Sequence, residues 1–404
     1  MAKIIFINRF FYPDHSATSQ LLSDLAFYLA RNNLEVDVIC ARQLYSGHNE
    51  NLKRYEKVNG VNIHRIQTTQ FGRNWLPGRL LDYLSFYINM SICLVRLIKP
   101  TDTVICKTDP PLSSVITLSI ARFKKAKHIN WVQDLFPEVI LALGMKSIPL
   151  FLLKWVQLMR NWSFQKSQLT VVIGQVMKNK LISEGVDESK IRVIPNWSDS
   201  ENVIPLDRKN NPLRKKWQLE DKFVIGYSGN MGRVHEFETI LRAAKVLKED
   251  TKIKFIFIGG GPKESYIKEW VKNQKLDNVL FYPYQAYSEL RYSLSLPDVH
   301  IISLIPEIEG YCVPSKFYGV TAAGRPIIFI GNEKGELTFP IREGNFGSNV
   351  ISGDVDNLVT EIVIMARDEH KTRSLGIHAR NMFERKFDKP IPLNQWLLVI
   401  ESFN

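Results

Sequence analysis

Short apolar runs alternate with helical segments along this chain in two successive series, and that alternation restricts it to βαβ units built on parallel sheets. In the first series the runs Ile4–Asn8, Val36–Ala41, Val61–Ile66, Thr103–Lys107, His128–Gln133, Leu169–Ile173 and Ile191–Ile194 read as strands. Helical stretches fall between them at 17–32, 78–98, 111–123, 149–166 and 175–184. The first of these sets Leu21, Leu22, Leu25 and Leu29 on one face, a stripe for a core. The second series has strands at Phe223–Ser228, Lys254–Ile258, Val279–Tyr282, Val299–Leu304 and Pro326–Ile330. Its helices fall at 236–249, 263–274, 286–296 and 315–323, followed by 355–368, 371–385 and 391–403.

A chain of 404 residues exceeds one ordinary core. The expected architecture is α/β, with two doubly wound parallel-sheet (Rossmann-like) domains facing a cleft. The first covers 1–199 and the second 222–386, and the polar, aperiodic 200–221 connects them. Ligands of such sheets lie beyond the carboxyl ends of the strands, so functional residues are sought on the loops that follow strands.

The longest apolar stretch, Ser85–Ile98, has 14 residues, fewer than the ~20 a spanning helix needs. MAKIIFINRF runs directly into a strand pattern without a signal-peptide core, which predicts a cytoplasmic location. Cys40, Cys93, Cys106 and Cys312 lack metal-ligand spacing and read as reduced core thiols. The net charge of +12 is concentrated in part at Arg122, Lys124, Lys125 and Lys127, and at Arg208, Lys209, Arg214, Lys215 and Lys216. Such charge suits nucleic acid, an anionic membrane surface or phosphate-bearing ligands, or is simply a solvated basic surface.

The loop Phe11–Gln20 joins the first strand to the first helix, and Asp14, Ser16 and Thr18 there either cap the helix or face a ligand. It lacks the G-x-G-x-x-G pattern of dinucleotide enzymes. The corresponding loop of the second half, Tyr227–His235, carries Gly229, Asn230, Gly232, Arg233 and His235. Its glycines permit close backbone approach, and its basic residues supply positive charge. After the next strand, Gly259, Gly261 and Pro262 either let a base or phosphate lie flat against the loop or begin a helix. The segment Glu309–Pro326 places Glu309, Pro314, Ser315 and Lys316 where a helix opens after a strand, a setting for phosphate oxygens. In the first half, Asp134 and Glu138 follow a strand and are candidates for a sugar hydroxyl or an acceptor proton, with helix capping as the alternative for Asp134. Asp354-Val355-Asp356 imitates a metal-binding triplet but stands at a helix start, where it reads as a cap, and no metal site is expected.

Taken in order, FYP-x4-T (Phe11–Thr18), TDPP (Thr108–Pro111), VQDLFPE (Val132–Glu138), VIPNWSD (Val193–Asp199), YSGNMG (Tyr227–Gly232), FIGGGP (Phe257–Pro262) and PSKFYG-x4-AGRP (Pro314–Pro326) resemble the family-4 retaining glycosyltransferases of the GT-B fold. The resemblance runs nearly end to end and is similar to a bacterial subgroup of exopolysaccharide, colanic-acid and O-antigen clusters, some of whose members transfer fucose or N-acetylfucosamine. It implies a nucleotide diphosphate sugar donor, UDP- or GDP-linked, held mainly by the second half. It also implies retention of anomeric configuration, no metal or other cofactor, and a final segment, 387–404, that crosses back to the first domain.

On that resemblance Asp134, Arg233 and Lys316 are the expected catalytic residues. Gly229, Asn230, Gly232, His235, Gly259, Gly261, Pro262, Glu309, Pro314, Ser315 and Glu336 are expected on the donor, and Asp14, Ser16, Thr18 and Glu138 on the acceptor side. The departures are local. Asn230 and His235 stand where many members carry Arg and Lys, Gly319 stands at the second Glu of the family's E-x7-E pair with Glu336 as a nearby substitute, and Gln133-Asp134 replaces a frequent histidine. The expected acceptor is a polyprenyl-diphosphate-linked saccharide, met at an anionic membrane on the inner face of the plasma membrane, with no nucleic acid involved. The stretch Arg73–Ile98, with Trp75, Arg79, Tyr83, Phe86, Tyr87 and Arg96, is either its interfacial surface or an internal helix. Alternative readings are a nucleotide-sugar epimerase or hydrolase, or a non-catalytic binding protein on a degenerate transferase fold.

Overall fold

A computed structural model describes residues 2–45, 52–72, 76–144 and 148–403. The chain forms two compact units, Met1–Pro195 with Leu393–Asn404, and Asn196–Pro392.

The first unit runs β1 (Ile4–Ile7), α1 (Ala17–Arg31), β2 (Val36–Ala41), β3 (Tyr55–Val58), β4 (Val61–Ile66), α2 (Leu76–Leu97), β5 (Thr103–Lys107) and α3 (Ser113–Phe123). It continues through β6 (Lys127–Val132), α4 (Glu138–Ala142), α5 (Leu150–Lys166), β7 (Leu169–Val172), α6 (Gln175–Ser183) and β8 (Ile191–Val193). These strands form one sheet in the order β3-β4-β2-β1-β5-β6-β7-β8, parallel except where β3 meets β4. Every residue of β1, β2 and β5 is buried, because a central parallel strand is covered on both faces and reads as an unbroken apolar run. Phe86, Met90 and Leu94 of α2 pack on Ile5, Ile7, Ile39 and Val104. Edge strand β3 escaped sequence reading because its alternation is half polar and exposed.

The second unit runs α7 (Pro212–Lys216), β9 (Phe223–Asn230), α8 (Glu238–Val246), β10 (Ile253–Gly260), α9 (Glu264–Asn273), β11 (Val279–Tyr282), α10 (Leu290–Ser295), β12 (Val299–Ser303) and α11 (Lys316–Ala322). It ends with β13 (Ile327–Ile330), α12 (Thr338–Gly344), β14 (Gly347–Val350), α13 (Val355–Arg367), α14 (Glu369–Lys386) and the beginning of α15 (Pro390–Glu401). The sheet order β11-β10-β9-β12-β13-β14 is parallel throughout. Its core sets Ile225, Phe255, Phe257, Ile301 and Ile328 against Ile240, Leu241 and Ala244 of α8 and Leu358 and Ile362 of α13. From Leu393 onward α15 belongs to the first unit, where Trp396 packs on Trp131 with ring centroids 4.8 Å apart.

Two readings change. Residues 200–221 are not a bare connection but part of the second unit. Leu213 and Leu219 join Val224, Ile256, Ile258 and Leu296 in a core. Arg214 is buried, donating to the Leu296 carbonyl at 3.0 and 2.8 Å and pairing with Asp298 at 2.7 Å. The run of basic residues hid a short helix whose one leucine, Leu213, and one arginine, Arg214, are buried. Arg208 of the same cluster is likewise taken up by Glu369 and by the carbonyls of Glu220 and Lys222. In the 73–98 stretch, Phe86 is a core residue and Tyr87 donates its hydroxyl to the Pro111 carbonyl, so neither faces outward. Arg73 and Trp75 lie outside the described residues. Finally, Asp354 accepts from the Asn357 amide at 3.1 Å and is a helix cap, as its position suggested.

Candidate functional site

In the second unit, β9 and β10 end side by side, with Gly229 opposite Gly259 and Asn230 opposite Gly260. Gly229, Gly259 and Gly261 take φ of +118°, +134° and +144°, conformations that favour glycine. Space is equally restrictive: a Cβ on Gly259 would lie 2.2 Å from the Gly229 oxygen, and one on Gly261 2.4 Å from Asn230 Oδ1. The two turns are stitched by the Met231 amide to the Gly260 carbonyl at 2.7 Å and the Lys263 amide to the Met231 carbonyl at 3.0 Å. Gly259→Ala is expected to reduce stability by more than Gly353→Ala, which also has a left-handed φ but meets nothing within 4 Å. Strain alone costs about 1–3 kcal/mol. Urea unfolding of both variants checks this, and equal losses would show that the close approach of the strands contributes nothing.

Beside these turns stands Lys316, the first residue of α11. Its ammonium donates to the Tyr227 hydroxyl, lies 3.8 Å from the centre of that ring, and is 3.3 Å from His235 Nε2. His235 Nδ1 is 2.6 Å from the Ser303 carbonyl, which can only accept, so Nδ1 carries the proton and Nε2 accepts from Lys316. Tyr227 in turn donates to the Asn230 carbonyl at 2.9 Å. Burial and the neighbouring Lys316 push the imidazole down to about 3, which keeps it neutral. Burial alone pushes the Lys316 ammonium down, since no carboxylate pairs with it among the described residues. Lys263 donates to the His235 carbonyl at 2.7 Å and is also depressed by burial, while Arg233 is exposed on the same loop. Gly232 packs on Asn230, where a Cβ would lie 3.1 Å from the side-chain amide nitrogen.

The structure thus brings Gly229, Asn230, Gly232, His235, Gly259, Gly261 and Lys316 to one place. Pro262 and Ser315 are exposed on the two loops and Pro314 is buried. The amides of Phe317 and Tyr318 already bond to the Pro314 and Ser315 carbonyls, which narrows the expected phosphate-binding role of that turn. Glu309 accepts from the Glu336 amide at 2.8 Å, so these two residues are neighbours. Gly319 presses on α10, where a Cβ would lie 3.2 Å from Leu294. A glutamate there would meet apolar packing, a physical reason for glycine at that position. Sequence reading passed over Tyr227 and Lys263, although the first opens YSGNMG and the second directly follows Gly261-Pro262.

In the first unit, Asp14 is buried and both its oxygens are occupied, accepting from the Ser16 amide at 2.7 Å and from the Tyr45 amide. It shapes the loop before α1, a correction to its acceptor-side reading. Ser16 is the N-cap residue of α1, without a side-chain capping bond, and the Thr18 carbonyl accepts from Lys107 Nζ at 3.0 Å. Lys107, missed in the sequence because it ends a strand, is buried with its ammonium 3.8 Å from the Trp131 ring centre. Burial pushes it down to about 7, against the pull of Asp109 and Asp134. Asp134 is exposed to solvent at its tip, and the protein packed around it together with the Asp109 carboxylate raises it to about 6, opposed by Lys107. Glu138 is also corrected: it is buried, bound to Arg160 and to Gln157 at 2.8 Å, and Arg160 also holds Glu184. Its carboxylate is committed to this triad.

Comparison with known proteins adds to this geometry. The family described as Glycosyltransferase Family 4 matches residues 19–202, and the one described as Glycosyl transferases group 1 matches residues 209–382. The chain is 26% identical, over 98% of both sequences, to WcaI of Escherichia coli K12, named as a colanic acid biosynthesis glycosyl transferase. It is 25% identical to WbjE of Pseudomonas aeruginosa, named as a glycosyltransferase, over 80% of each. Among solved structures, HepE of Anabaena in complex with UDP superimposes with a TM-score of 0.75 at 14% identity, over 99% of this chain and 100% of that one. Sucrose-phosphate synthase of Thermosynechococcus elongatus gives 0.78 at 14% identity, over 100% and 99%. At that identity these structures speak for the fold, two Rossmann-like domains of the GT-B type.

Proposed function

Because the chain belongs to the family-4 glycosyltransferases and acts in bacterial polysaccharide synthesis, we propose that it moves a hexosyl or deoxyhexosyl group from a UDP- or GDP-sugar, with retention and without a metal, to a lipid-linked saccharide. One observation carries the donor assignment: Lys316 is a partly buried cation without a carboxylate partner among the described residues, held by Tyr227 and His235 beside the glycine turns that follow β9 and β10. As the bond from sugar to phosphate breaks, negative charge grows on the departing diphosphate, and a preorganised cation stabilises that state more than the ground state. Arg233 on the loop after β9 and Lys263 on the loop after β10 add charge, so the residues present supply what a metal supplies elsewhere. In the first unit Asp134 is assigned to a hydroxyl of the sugar or the acceptor. With its carboxyl at about 6, it is ionised at neutral pH and can accept that hydrogen bond. The acceptor assignment, a polyprenyl-diphosphate saccharide met peripherally at the inner face of the plasma membrane, draws support from the colanic acid biosynthesis in the name of WcaI and from the net charge of +12.

Thermal unfolding with UDP, GDP, ADP or NAD in the presence of EDTA tests this reading. One nucleoside diphosphate at ~100 times its Kd is expected to stabilise the fold by about 2.7 kcal/mol. UDP is the first to try, as it occupies the HepE structure. No shift with any of them overturns the donor site, and a shift that vanishes in EDTA overturns metal independence. Turnover of the nucleotide sugar to free sugar or an epimer without acceptor would favour a hydrolase or epimerase on the same fold.

A further inference from the structure

Helix α2 is apolar on two sides but only one of them is covered. Phe86, Met90 and Leu94 enter the core, while Leu80, Leu84, Ile88, Ile92 and Val95 are 41–58% exposed. Spacings of four and three residues put the exposed set on one face. Over its most apolar 18 residues the helix has a mean hydropathy of 1.3 and is only 22% buried. An ordinary surface helix carries charged residues on that side. Because its opposite face is committed to the core of the first unit, α2 is placed to lie along a membrane rather than to cross it.

The neighbouring helices extend the surface. α3 packs beside α2 and α5 beside α3. A shallow groove of about 550 Å³ between α2 and α3 is lined by Ile92, Val95, Ile116 and Ile120. On α5, Phe151, Trp155 and Leu158 are 70%, 56% and 68% exposed at one-face spacing, and Phe123 at the end of α3 is 82% exposed. Around these apolar residues stand the exposed cations Arg79, Arg96, Lys99, Arg122, Lys125 and Lys154. An apolar face with a basic rim suits the boundary between headgroups and acyl chains of an anionic bilayer, whose phosphates attract the cations while the aliphatic and aromatic side chains enter the lipid. A second copy of this chain fits less well, since it would bring the same cations, and a net charge of +12, against them.

We propose that the outer face formed by α2, α3 and α5 is the surface by which this protein lies on an anionic lipid bilayer. The inference rests on the membrane part of the function proposed above and deepens it, adding α5 to the surface and replacing the inward-facing aromatics of α2 with its aliphatic stripe. It does not depend on the donor.

Flotation of the full chain with vesicles of phosphatidylcholine, alone or mixed with phosphatidylglycerol, tests it. The protein is expected to float with the mixed vesicles, less so with the neutral ones, and progressively less as salt is added. The pair Ile88→Glu and Ile92→Glu is expected to weaken binding to mixed vesicles by at least about tenfold. Arg122→Glu with Lys125→Glu should abolish the preference for anionic lipid. Both variants should keep the nucleoside diphosphate shift in thermal unfolding, which separates failure of this surface from failure of the donor reading. Trp155→Ala serves as a milder variant if the glutamates disturb folding. Absence of wild-type flotation with mixed vesicles, or flotation of Ile88→Glu/Ile92→Glu equal to wild type, overturns the proposal. A dimer in sedimentation velocity that the glutamates dissociate while vesicle binding persists would assign the face to a second copy instead.

Discussion

Lys316→Gln is expected to lower sugar transfer by about 10²–10³-fold, corresponding to ~3–4 kcal/mol at the barrier, while leaving the protein folded. Glutamine keeps a donor for the Tyr227 hydroxyl and His235 Nε2, so the contacts that hold the side chain survive and only the charge is lost. No carboxylate is left unpaired by the change, so the usual penalty for breaking a buried ion pair does not arise. Stability should therefore stay near wild type or rise slightly, as the cost of enclosing an ammonium disappears. A loss of kcat with little change in KM would place the effect on the departing diphosphate; a rise in KM alone would assign Lys316 to uniform binding. Wild-type turnover in this variant would remove Lys316 from the reaction.

Arg160→Met is expected to have the opposite profile, with a large effect on folding. The guanidinium sits between Glu138 and Glu184 and also donates to the Phe136 carbonyl at 3.1 Å. Removing it leaves two carboxylates together, Glu138 almost fully buried, and breaking a buried pair in this way costs about 3–5 kcal/mol. Urea unfolding measures it. The pH dependence has a definite sign. Glu184 is already raised in the wild type, by burial first and then by Glu138, against the pull of Arg160. Without Arg160 the pull that holds the Glu184 carboxyl down is gone, and it rises further. A carboxyl with a folded pKa above its unfolded value binds its proton more readily in the folded state, so acidification through that range favours folding. The deficit of Arg160→Met should accordingly shrink as pH falls. Adding Glu138→Gln and Glu184→Gln should recover most of it at neutral pH. A deficit independent of pH and unrelieved by the glutamines would mean that lost packing, not charge, is responsible.

Much of the geometry around the glycine turns and Lys316 was legible because its determinants are local. Gly229, Gly259 and Gly261 occur at strand ends where only a glycine fits, and Lys316 follows a Pro-Ser pair at a helix start. The roles of Asp14 and Glu138 were not legible. A carboxylate after a strand looks the same in sequence whether it faces solvent or meets an amide from residue 45 or a guanidinium from residue 160. Lys107 and Tyr227 were missed for a related reason, since a polar residue ending a strand declares itself only through what the adjoining loops bring to it.

By itself, the amino-acid sequence determined the two α/β series, nearly all of their strands, and the class of chemistry. Hydrophobic periodicity is a property of neighbouring residues, and the glycine turns are set by their own backbone torsions. Only the tertiary structure decided that 200–221 folds onto the second unit, that Lys316 has a neutral histidine rather than a carboxylate beside it, and that one face of α2 remains uncovered. Those outcomes depend on which distant side chains meet and which meet nothing, and pairing energies of that kind are absent from any local stretch of chain.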